Sequence, residues 1–351
     1  MKSSDKRQLR MVAGDLSGLY GMTDVILNNG RSKGVRAIEM KTDKGLNCMV
    51  LADRCLDIPY LSYKGTNLGL VTKVGVSSPN LYTEDDVRGF MKQFNAGLIT
   101  TCGITYAGQA GEYNGRAYGL HGGIANTPAE NVNFFETVEN DEIVLNICGD
   151  VREACVFEEC MYLRRSIKLY TEQNIISIED TVENCGFTKQ PAMNLYHINF
   201  GYPLLDKGAK CYFTAPNIEP YNEISKEKMG TYALMESPYP EGPELVYTHT
   251  GDTGNGYGML YNEALNLAVV VHYDADTMPY FNEWKSLVGG DYAIGLEPCI
   301  SGFRGRAYAE KNGLIKYVEP GERMVFKFSI EVLDDIKKIH EYAKKCKEWN
   351  G

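Results

Sequence analysis

Hydrophobic and polar residues alternate along this chain in many short segments that are separated by turn-forming residues. Segments 35–40 and 46–51 alternate in this way on either side of a glycine-containing link, which is the pattern of a β-hairpin. Other runs rich in β-branched and aromatic residues also predict strands. These runs cover residues 98–104, 143–147, 161–170, 175–182, 265–273 and 324–332. The pattern therefore predicts an all-β fold, a large antiparallel β-sandwich.

Helical periodicity is clear only at the C-terminus, where apolar residues recur at helical spacing with lysines on the opposite side. These residues are Leu333, Ile336, Ile339, Tyr342, Ala343 and Cys346. The sequence has no alternating strand and helix units, and no helix follows its glycine clusters, which argues against dinucleotide-binding and P-loop folds. We therefore expect an N-terminal arm at residues 1–23, one sandwich domain at 24–332, and a helix at 333–351 packed on the same domain.

Composition and charge narrow the class of protein. The chain has 351 residues, is 44% hydrophobic and carries a formal net charge of -10, which argues against nucleic-acid and anionic-membrane partners. Residues 1–12 contain no apolar signal core, and no run is long enough to span a bilayer, so we expect a cytoplasmic location. The ten cysteines form no CxxC pair, and we expect reduced thiols and no zinc ribbon.

One predicted strand combines polar and apolar side chains in an informative order. In an ideal strand His197 and Asn199 point to one face, whereas Tyr196, Ile198 and Phe200 point to the other. An imidazole and an amide that project together from an apolar strand cost free energy unless they find polar partners. A bound polyol such as a sugar could supply these partners, and so could backbone groups of the core. The strand alone leaves both interpretations open.

Three further residues are candidates for chemistry. His121 is flanked by glycines, which let the backbone approach a ligand closely, although an ordinary loop histidine would look the same. Glu297 ends an apolar strand, where burial would raise its pKa toward the range of a general base, but it could equally pair with Arg304 or Arg306. Trp284 could pack against a sugar ring or belong to the core. Together with His197, these residues fit proton transfer to and from oxygen atoms.

Three motifs together resemble the aldose 1-epimerase (galactose mutarotase-like) superfamily. They are Leu-His-Gly-Gly at 120–123, Tyr-His-Ile-Asn-Phe-Gly at 196–201 and Gly-Leu-Glu-Pro at 295–298. The chain is more similar to the branch of that superfamily known as DUF4432. Further segments that support this resemblance lie at 53–58, 97–103, 126–129 and 283–285. The resemblance extends from about residue 24 to residue 332, which is nearly the whole chain.

The resemblance implies a large antiparallel β-sandwich with an open cleft on one sheet. It also implies a general base at Glu297, a general acid at His197 and an assisting, sugar-binding histidine at His121. Arg54 and Asp57 match a motif of the DUF4432 branch and are expected to line the cleft. The other residues expected to bind substrate are Asn126, Asn199, Trp284 and Arg304. An arginine-containing motif and an additional aspartate that are usual in the superfamily are not clearly present.

The implied activity is the interconversion of sugar anomers by ring opening and closure. Glu297 would remove the proton of the anomeric hydroxyl while His197 protonates the ring oxygen, with a carbohydrate-sized gap between the two groups. His197 would then need a pKa near the ordinary value of an imidazole. No metal or other cofactor is expected. The expected partner is a small-molecule sugar, and a homodimer is left open.

Two alternative functions use the same residues. A non-catalytic carbohydrate-binding protein could present them on the same sandwich, and it would bind sugar without turnover. A metal-dependent sugar isomerase or epimerase could use His121, His197 and Glu297 as ligands, because two histidines and a carboxylate can hold a metal ion. Chelation would then abolish activity.

Overall fold

The computed structural model describes residues 2–84 and 86–349. Two large antiparallel sheets form the body of the protein and enclose one hydrophobic core between them. The all-β sandwich predicted from the alternating pattern is therefore confirmed. The ten cysteines are all free, and six of them are buried, where they pack as small apolar side chains.

The strands follow one another with short connections. In the first part of the chain they are β1 (Gly21–Ile26), β2 (Arg36–Lys41), β3 (Leu46–Leu51), β4 (Asp57–Tyr63), β5 (Thr66–Asn67), β6 (Leu70–Val71), β7 (Ala96–Gly97), β8 (Ile99–Cys102), β9 (Gly111–Tyr113), β10 (Arg116–Tyr118), β11 (Glu130–Glu139) and β12 (Glu142–Ala154). In the second part they are β13 (Cys160–Tyr170), β14 (Ile175–Asn184), β15 (Gln190–Ala192), β16 (Leu195–Phe200), β17 (Lys210–Phe213), β18 (Asn217–Pro220), β19 (Glu244–Thr250), β20 (Asn255–Asn262), β21 (Leu267–Asp274), β22 (Tyr280–Ser286), β23 (Ala293–Cys299), β24 (Lys316–Val318) and β25 (Arg323–Leu333).

The order of the strands places β16 near the centre of the larger sheet. That sheet runs β1-β2-β3-β4-β8-β16-β23-β22-β19-β18, and β5 pairs with β4. The smaller sheet runs β11-β12-β13-β14-β25-β21-β20-β17. The pairs β6–β7, β9–β10 and β15–β24 form three two-stranded sheets. Strands distant in sequence, β8, β16 and β23, are thereby brought side by side.

The helices of the described residues are short. They are α1 (Lys6–Val12), α2 (Val87–Met91), α3 (Glu223–Glu227), α4 (Arg306–Lys311) and α5 (Ile336–Ala343). Periodicity predicted only the helix at the C-terminus, because the others span at most two turns and are too short for a periodic pattern to be visible. None of the helices in the described residues is long and apolar enough to cross a bilayer.

Helix α5 packs on the outer face of the smaller sheet. Its buried residues Ile339 and Ala343 lie in an apolar cluster with Tyr257, Met259 and Val270 of β20 and β21. The side chain of Asp335 accepts a hydrogen bond from the backbone N–H of Lys337 and so caps the start of the helix. Most of the apolar stripe identified in the sequence packs in this cluster, but Leu333 is the last residue of β25 and Ile336 is exposed.

A buried arginine links the two sheets directly behind β8. The guanidinium of Arg165, on β13, donates to both carboxylate oxygens of Asp180 (2.9 and 2.7 Å) and to Oδ1 of Asp57 on β4 (3.0 Å). It also donates to Oγ1 of Thr101 on β8 (2.8 Å). Tyr196 of β16 donates its hydroxyl to Asp180 (2.8 Å). These buried bonds fix β4, β8 and β16 relative to the smaller sheet.

Candidate active site

A row of polar side chains crosses the outer face of the larger sheet, the face turned away from the smaller sheet. Thr100 of β8 lies opposite His197 of β16, and Glu297 of β23 lies opposite Asn282 of β22. The register of β16 and β23 on either side of this position places His197 opposite Glu297. The pairing of distant strands therefore aligns the imidazole and the carboxyl as cross-strand neighbours.

The imidazole and the carboxyl are in direct contact. Nδ1 of His197 lies 3.1 Å from Oε1 of Glu297. The carbohydrate-sized gap expected between them is not there, because residues paired across adjacent strands are too close to leave one. His197 is 6% exposed and Glu297 is 3% exposed. A ligand would have to lie against the pair rather than between its members.

Asn199 occupies the same face as His197, as the strand pattern predicted. Its Oδ1 lies 2.5 Å from Nδ1 of His197, and its Nδ2 donates to the backbone carbonyl of His197 (2.7 Å). Asn199 is fully buried, so its amide supports the imidazole and is not exposed to a ligand. Tyr196, Ile198 and Phe200 point to the opposite face and belong to the core between the sheets.

Aromatic rings enclose the imidazole of His197 on its other sides. The ring centroids of Phe94, Trp284 and His121 lie 5.1, 5.2 and 5.5 Å from that of His197. Phe90, on α2, lies 5.0 Å from His121. These aromatic side chains exclude water from the pair and supply apolar surface of the kind that packs on sugar rings.

His121 reaches the site on a tightly turned loop. Its own backbone has a φ of +60°, and Gly122 has a φ of +73° with no room for a Cβ, which would lie 2.5 Å from the carbonyl oxygen of Tyr106. The backbone N–H of Gly108 donates to Nδ1 of His121 (3.3 Å), while the N–H of His121 donates to the carbonyl of Gly108 (2.8 Å). The proton of the neutral ring therefore lies on Nε2, which is left as a donor for a ligand.

Burial shifts the pKa values of all three groups toward their uncharged forms. Desolvation raises the pKa of Glu297 well above its ordinary value. Desolvation lowers the pKa of His197 to about 4, although the hydrogen bond that the imidazole donates to Asn199 opposes this shift. Desolvation together with His197 lowers the pKa of His121 to about 3. The ordinary imidazole pKa expected for His197 is therefore not retained. Burial therefore favours the uncharged forms of both members of the His197–Glu297 pair.

Gly295 provides the space for the Glu297 carboxyl. A Cβ on Gly295 would lie 2.3 Å from Oε1 of Glu297 and 3.2 Å from its Cδ. We expect Gly295→Ala to fold, because only a mobile carboxyl must move, but to lower kcat about 10²-fold through misplacement of that carboxyl. Kinetics and thermal melting would check this, with Gly230→Ala as the control because no atom lies within 4 Å of a Cβ there.

Arg54 and Asp57 lie beneath the site and not in it. The buried guanidinium of Arg54 donates to the backbone carbonyls of Ala125, Ser77 and Gln93 (3.0–3.2 Å). Asp57 accepts hydrogen bonds from the backbone and side chain of Thr101 and from Arg165. The structure therefore differs from the expectation that they line the cleft.

Arg54 nevertheless affects the shape of the site through the backbone it holds. The carbonyl of Gln93 precedes Phe94, which contacts His197, and the carbonyl of Ala125 precedes Asn126. Asn126 is buried, and its Oδ1 has no hydrogen-bond partner among the described residues. Asn126 thus has an unpaired acceptor, and that oxygen is itself buried.

Trp284 and Arg304 are both partly exposed on the outer face of the larger sheet. The indole of Trp284 contacts the ring of His197 and donates to Oε1 of Glu244 (3.3 Å). Arg304 lies between the rings of Tyr221 and Tyr308, with 5.0 and 4.9 Å from its Cζ to their centroids. It lines a cavity of about 610 Å³. Among the described residues, its contacts are with these two tyrosines and not with the His197–Glu297 pair.

The sequence analysis missed several residues that shape the site. Phe90 and Phe94 were not identified, and their four-residue spacing was the available signal. Gly295 lies in the Gly-Leu-Glu-Pro motif, but the motif did not show that it makes room for the Glu297 carboxyl. Nothing local marked Asn282, which lies opposite Glu297 only through strand pairing. Within residues 2–84 and 86–349, no three His, Cys, Asp or Glu side chains are grouped so as to hold a metal ion.

Solved structures of low sequence identity share this fold. A "putative aldose 1-epimerase" from Klebsiella pneumoniae is 20% identical and has a TM-score of 0.87, with 95% of this chain and 92% of that chain covered. A galactose mutarotase-like protein from Clostridium acetobutylicum is 12% identical, with a TM-score of 0.65 and coverage of 91% and 100%. Galactose 1-epimerase from Lactobacillus acidophilus is 12% identical, with a TM-score of 0.56 and coverage of 90% and 99%.

The comparison with family models covers most of the chain. No curated protein matches the sequence. The model described as "Domain of unknown function (DUF4432)" matches residues 32–332, which lie between β1 and the end of β25. The residues matched by the family model lie within the part of the chain that the similar structures cover. This protein therefore belongs to the DUF4432 family, and its fold is that of the galactose mutarotase-like proteins.

Proposed function

We propose that this protein interconverts the anomers of a sugar by general acid–base ring opening and closure at His197 and Glu297. The observation that carries the proposal is the contact of 3.1 Å between a buried imidazole and a buried carboxyl on paired central strands. A second histidine, His121, adjoins them. The names of the structural neighbours, which include a galactose 1-epimerase, support the same reaction class.

The chemistry needs one proton donor and one proton acceptor at the same time. Ring opening removes a proton from the anomeric hydroxyl and adds one to the ring oxygen, and ring closure reverses both transfers. A pair that holds a single proton contains one donor and one acceptor, whichever member carries it. His121, with its proton on Nε2, adds a hydrogen-bond donor for a sugar oxygen, and Trp284 adds an apolar surface.

The pH dependence of kcat/KM should report the two buried groups. When the pH falls below about 4, the pKa of His197, the imidazole takes up a proton. The pair then contains no proton acceptor, so activity should fall. At alkaline pH Glu297 loses its proton and no donor remains, and its raised pKa moves this limb upward. We expect a broad plateau across neutral pH, measured by polarimetry. An acid limb centred near 6.5, the ordinary pKa of histidine, would contradict this.

The proposal is tested by an NMR exchange screen across free aldoses, ketoses and deoxysugars. Enzyme-dependent exchange between the α- and β-anomer signals of one of them is the expected result. Binding without exchange would instead favour a carbohydrate-binding protein. Exchange that disappears with a chelator and returns with a metal ion would favour a metal-dependent isomerase.

A further inference from the structure

Asn199 contacts His197 twice and is fully buried beside it. One contact joins its Oδ1 to Nδ1 of the imidazole at 2.5 Å. The other is a hydrogen bond of 2.7 Å from its Nδ2 to the backbone carbonyl of His197. Both ends of the amide are therefore used by the same neighbouring residue, two positions earlier on β16.

The second contact determines which way the amide of Asn199 points. If the amide were turned over, its Oδ1 would lie against the carbonyl oxygen of His197, and two acceptors would face each other with no hydrogen between them. The orientation with Nδ2 on that carbonyl is the one that satisfies both groups. Oδ1 must then face Nδ1 of the ring, and an amide oxygen can only accept a hydrogen bond.

We infer that Asn199 is a positioning residue that keeps the proton of His197 on Nδ1 and leaves Nε2 as the nitrogen that exchanges a proton with the sugar. The tautomer is a property of the protein alone. The part played by Asn199 in turnover rests on the proposed function.

This tautomer also explains the state of Glu297. Oε1 of Glu297 lies 3.1 Å from Nδ1 of His197, yet it is buried with no hydrogen-bond partner among the described residues. The reason is that the single proton on Nδ1 is already donated to Asn199. The carboxyl therefore keeps its own bonding capacity for a ligand.

The roles at the start of the reaction follow from the same arrangement. Neutral His197 offers a lone pair on Nε2 and is the acceptor, while the protonated carboxyl of Glu297 is the donor. These roles are the reverse of those implied by the resemblance, and the return step exchanges them. An amide beside Nδ1, unlike a carboxylate, does not stabilise the imidazolium strongly, which suits a ring that works from its neutral form.

The charged groups around His197 are few. Glu297 faces it from β23 and His121 faces it from the glycine-flanked loop, while Phe94 and Trp284 cover it from the helical segment and from β22. The thiols of Cys102 on β8 and Cys299 on β23 interact with Glu297, and burial raises the pKa of both. Changes in the pH–rate profile of Asn199 variants should therefore reflect mainly the titration of His197 and Glu297.

The direct test is ¹⁵N NMR of the histidine rings in labelled full-length protein, with His197→Gln used to assign the His197 signals. A protonated and an unprotonated ring nitrogen have well-separated ¹⁵N shifts. We expect the wild-type protein to show His197 protonated at Nδ1 and unprotonated at Nε2. A spectrum with the proton on Nε2 would overturn the inference.

Two substitutions of Asn199 extend the test to function. Asn199→Leu removes the acceptor, and we expect the tautomer to shift toward Nε2–H and kcat to fall about 10–100-fold, the range typical of partners that orient a histidine, with little change in KM. Asn199→Asp keeps an acceptor on Nδ1 but adds charge. It should retain the Nδ1–H tautomer and move the acid limb of the pH–rate profile upward by about 1–3 pH units.

The outcomes separate this inference from the proposed function. An Nδ1–H tautomer that is lost in Asn199→Leu, in a protein that turns over no sugar, would support the role of Asn199 and count against the activity. Sugar turnover with an unchanged tautomer and pH profile in both variants would support the proposed activity and count against the role of Asn199. If Asn199→Leu failed to fold, as judged by circular dichroism, the wild-type ¹⁵N spectrum and the pH–rate profile of Asn199→Asp would still test the role of Asn199.

Discussion

We expect Glu297→Gln to lower the rate of anomer interconversion by about 10²–10⁴-fold, the contribution typical of a positioned acid–base group. Glutamine matches the shape of the protonated carboxyl but has no proton that it can give up and take back. Since desolvation raises the pKa of Glu297 and so favours its uncharged form, the uncharged replacement should leave the buried surroundings undisturbed. The fold and the affinity for the sugar should therefore survive. NMR exchange spectroscopy and polarimetry would measure the rate.

A matched control is available on the other sheet. Glu179 lies on β14, is exposed, and pairs with Lys327 (2.9 Å), far from the outer face of the larger sheet. Glu179→Gln should retain the wild-type rate. Unchanged exchange in the Glu297→Gln variant would show that Glu297 is not part of the catalytic unit and would remove the central support for the proposed function.

Replacing Arg165 by methionine should lower the free energy of unfolding by about 3–5 kcal/mol, the cost of leaving buried charges without their partner. Arg165 neutralises Asp57 and Asp180, which are both buried, and donates to Thr101 as well. Methionine would fill part of the space and supply none of these hydrogen bonds. Urea denaturation followed by circular dichroism would measure the loss.

The adjacent residue supplies the control for this substitution. Arg164 is half-exposed and pairs with Asp150 and Glu183 at the surface. Arg164→Met should therefore cost only about 0–1 kcal/mol. The penalty of Arg165→Met should also shrink as the pH falls, because unpaired buried carboxyls have raised pKa values and take up protons. Equal losses in the two variants would show that the buried arginine is not a structural link between the sheets.

Local pattern was sufficient for the fold class and for one face of the central strand. Alternation along the chain predicted the antiparallel sandwich, and a period of two placed His197 and Asn199 together, as the structure has them. The motif resemblance identified the DUF4432 family, which the family comparison confirms. The short helices escaped notice because one or two turns leave no periodic signal.

Other expectations failed because they concerned groups whose environment depends on distant segments. Arg54 and Asp57 look like cleft residues in sequence, but the folded chain surrounds them with backbone carbonyls and with Arg165. The ordinary pKa expected for His197 is lowered by burial beneath Phe94 and Trp284, which come from two different parts of the chain.

By itself, the sequence determined the fold class, which side chains of the central strand share a face, and the family to which the protein belongs, because alternation and motifs are properties of neighbouring residues. Only the tertiary structure decided that His197 and Glu297 touch, that Asn199 contacts the imidazole, and that all three side chains are buried. The physical reason is that the register of β16 and β23 and the exclusion of water around them arise when segments about a hundred residues apart pack together.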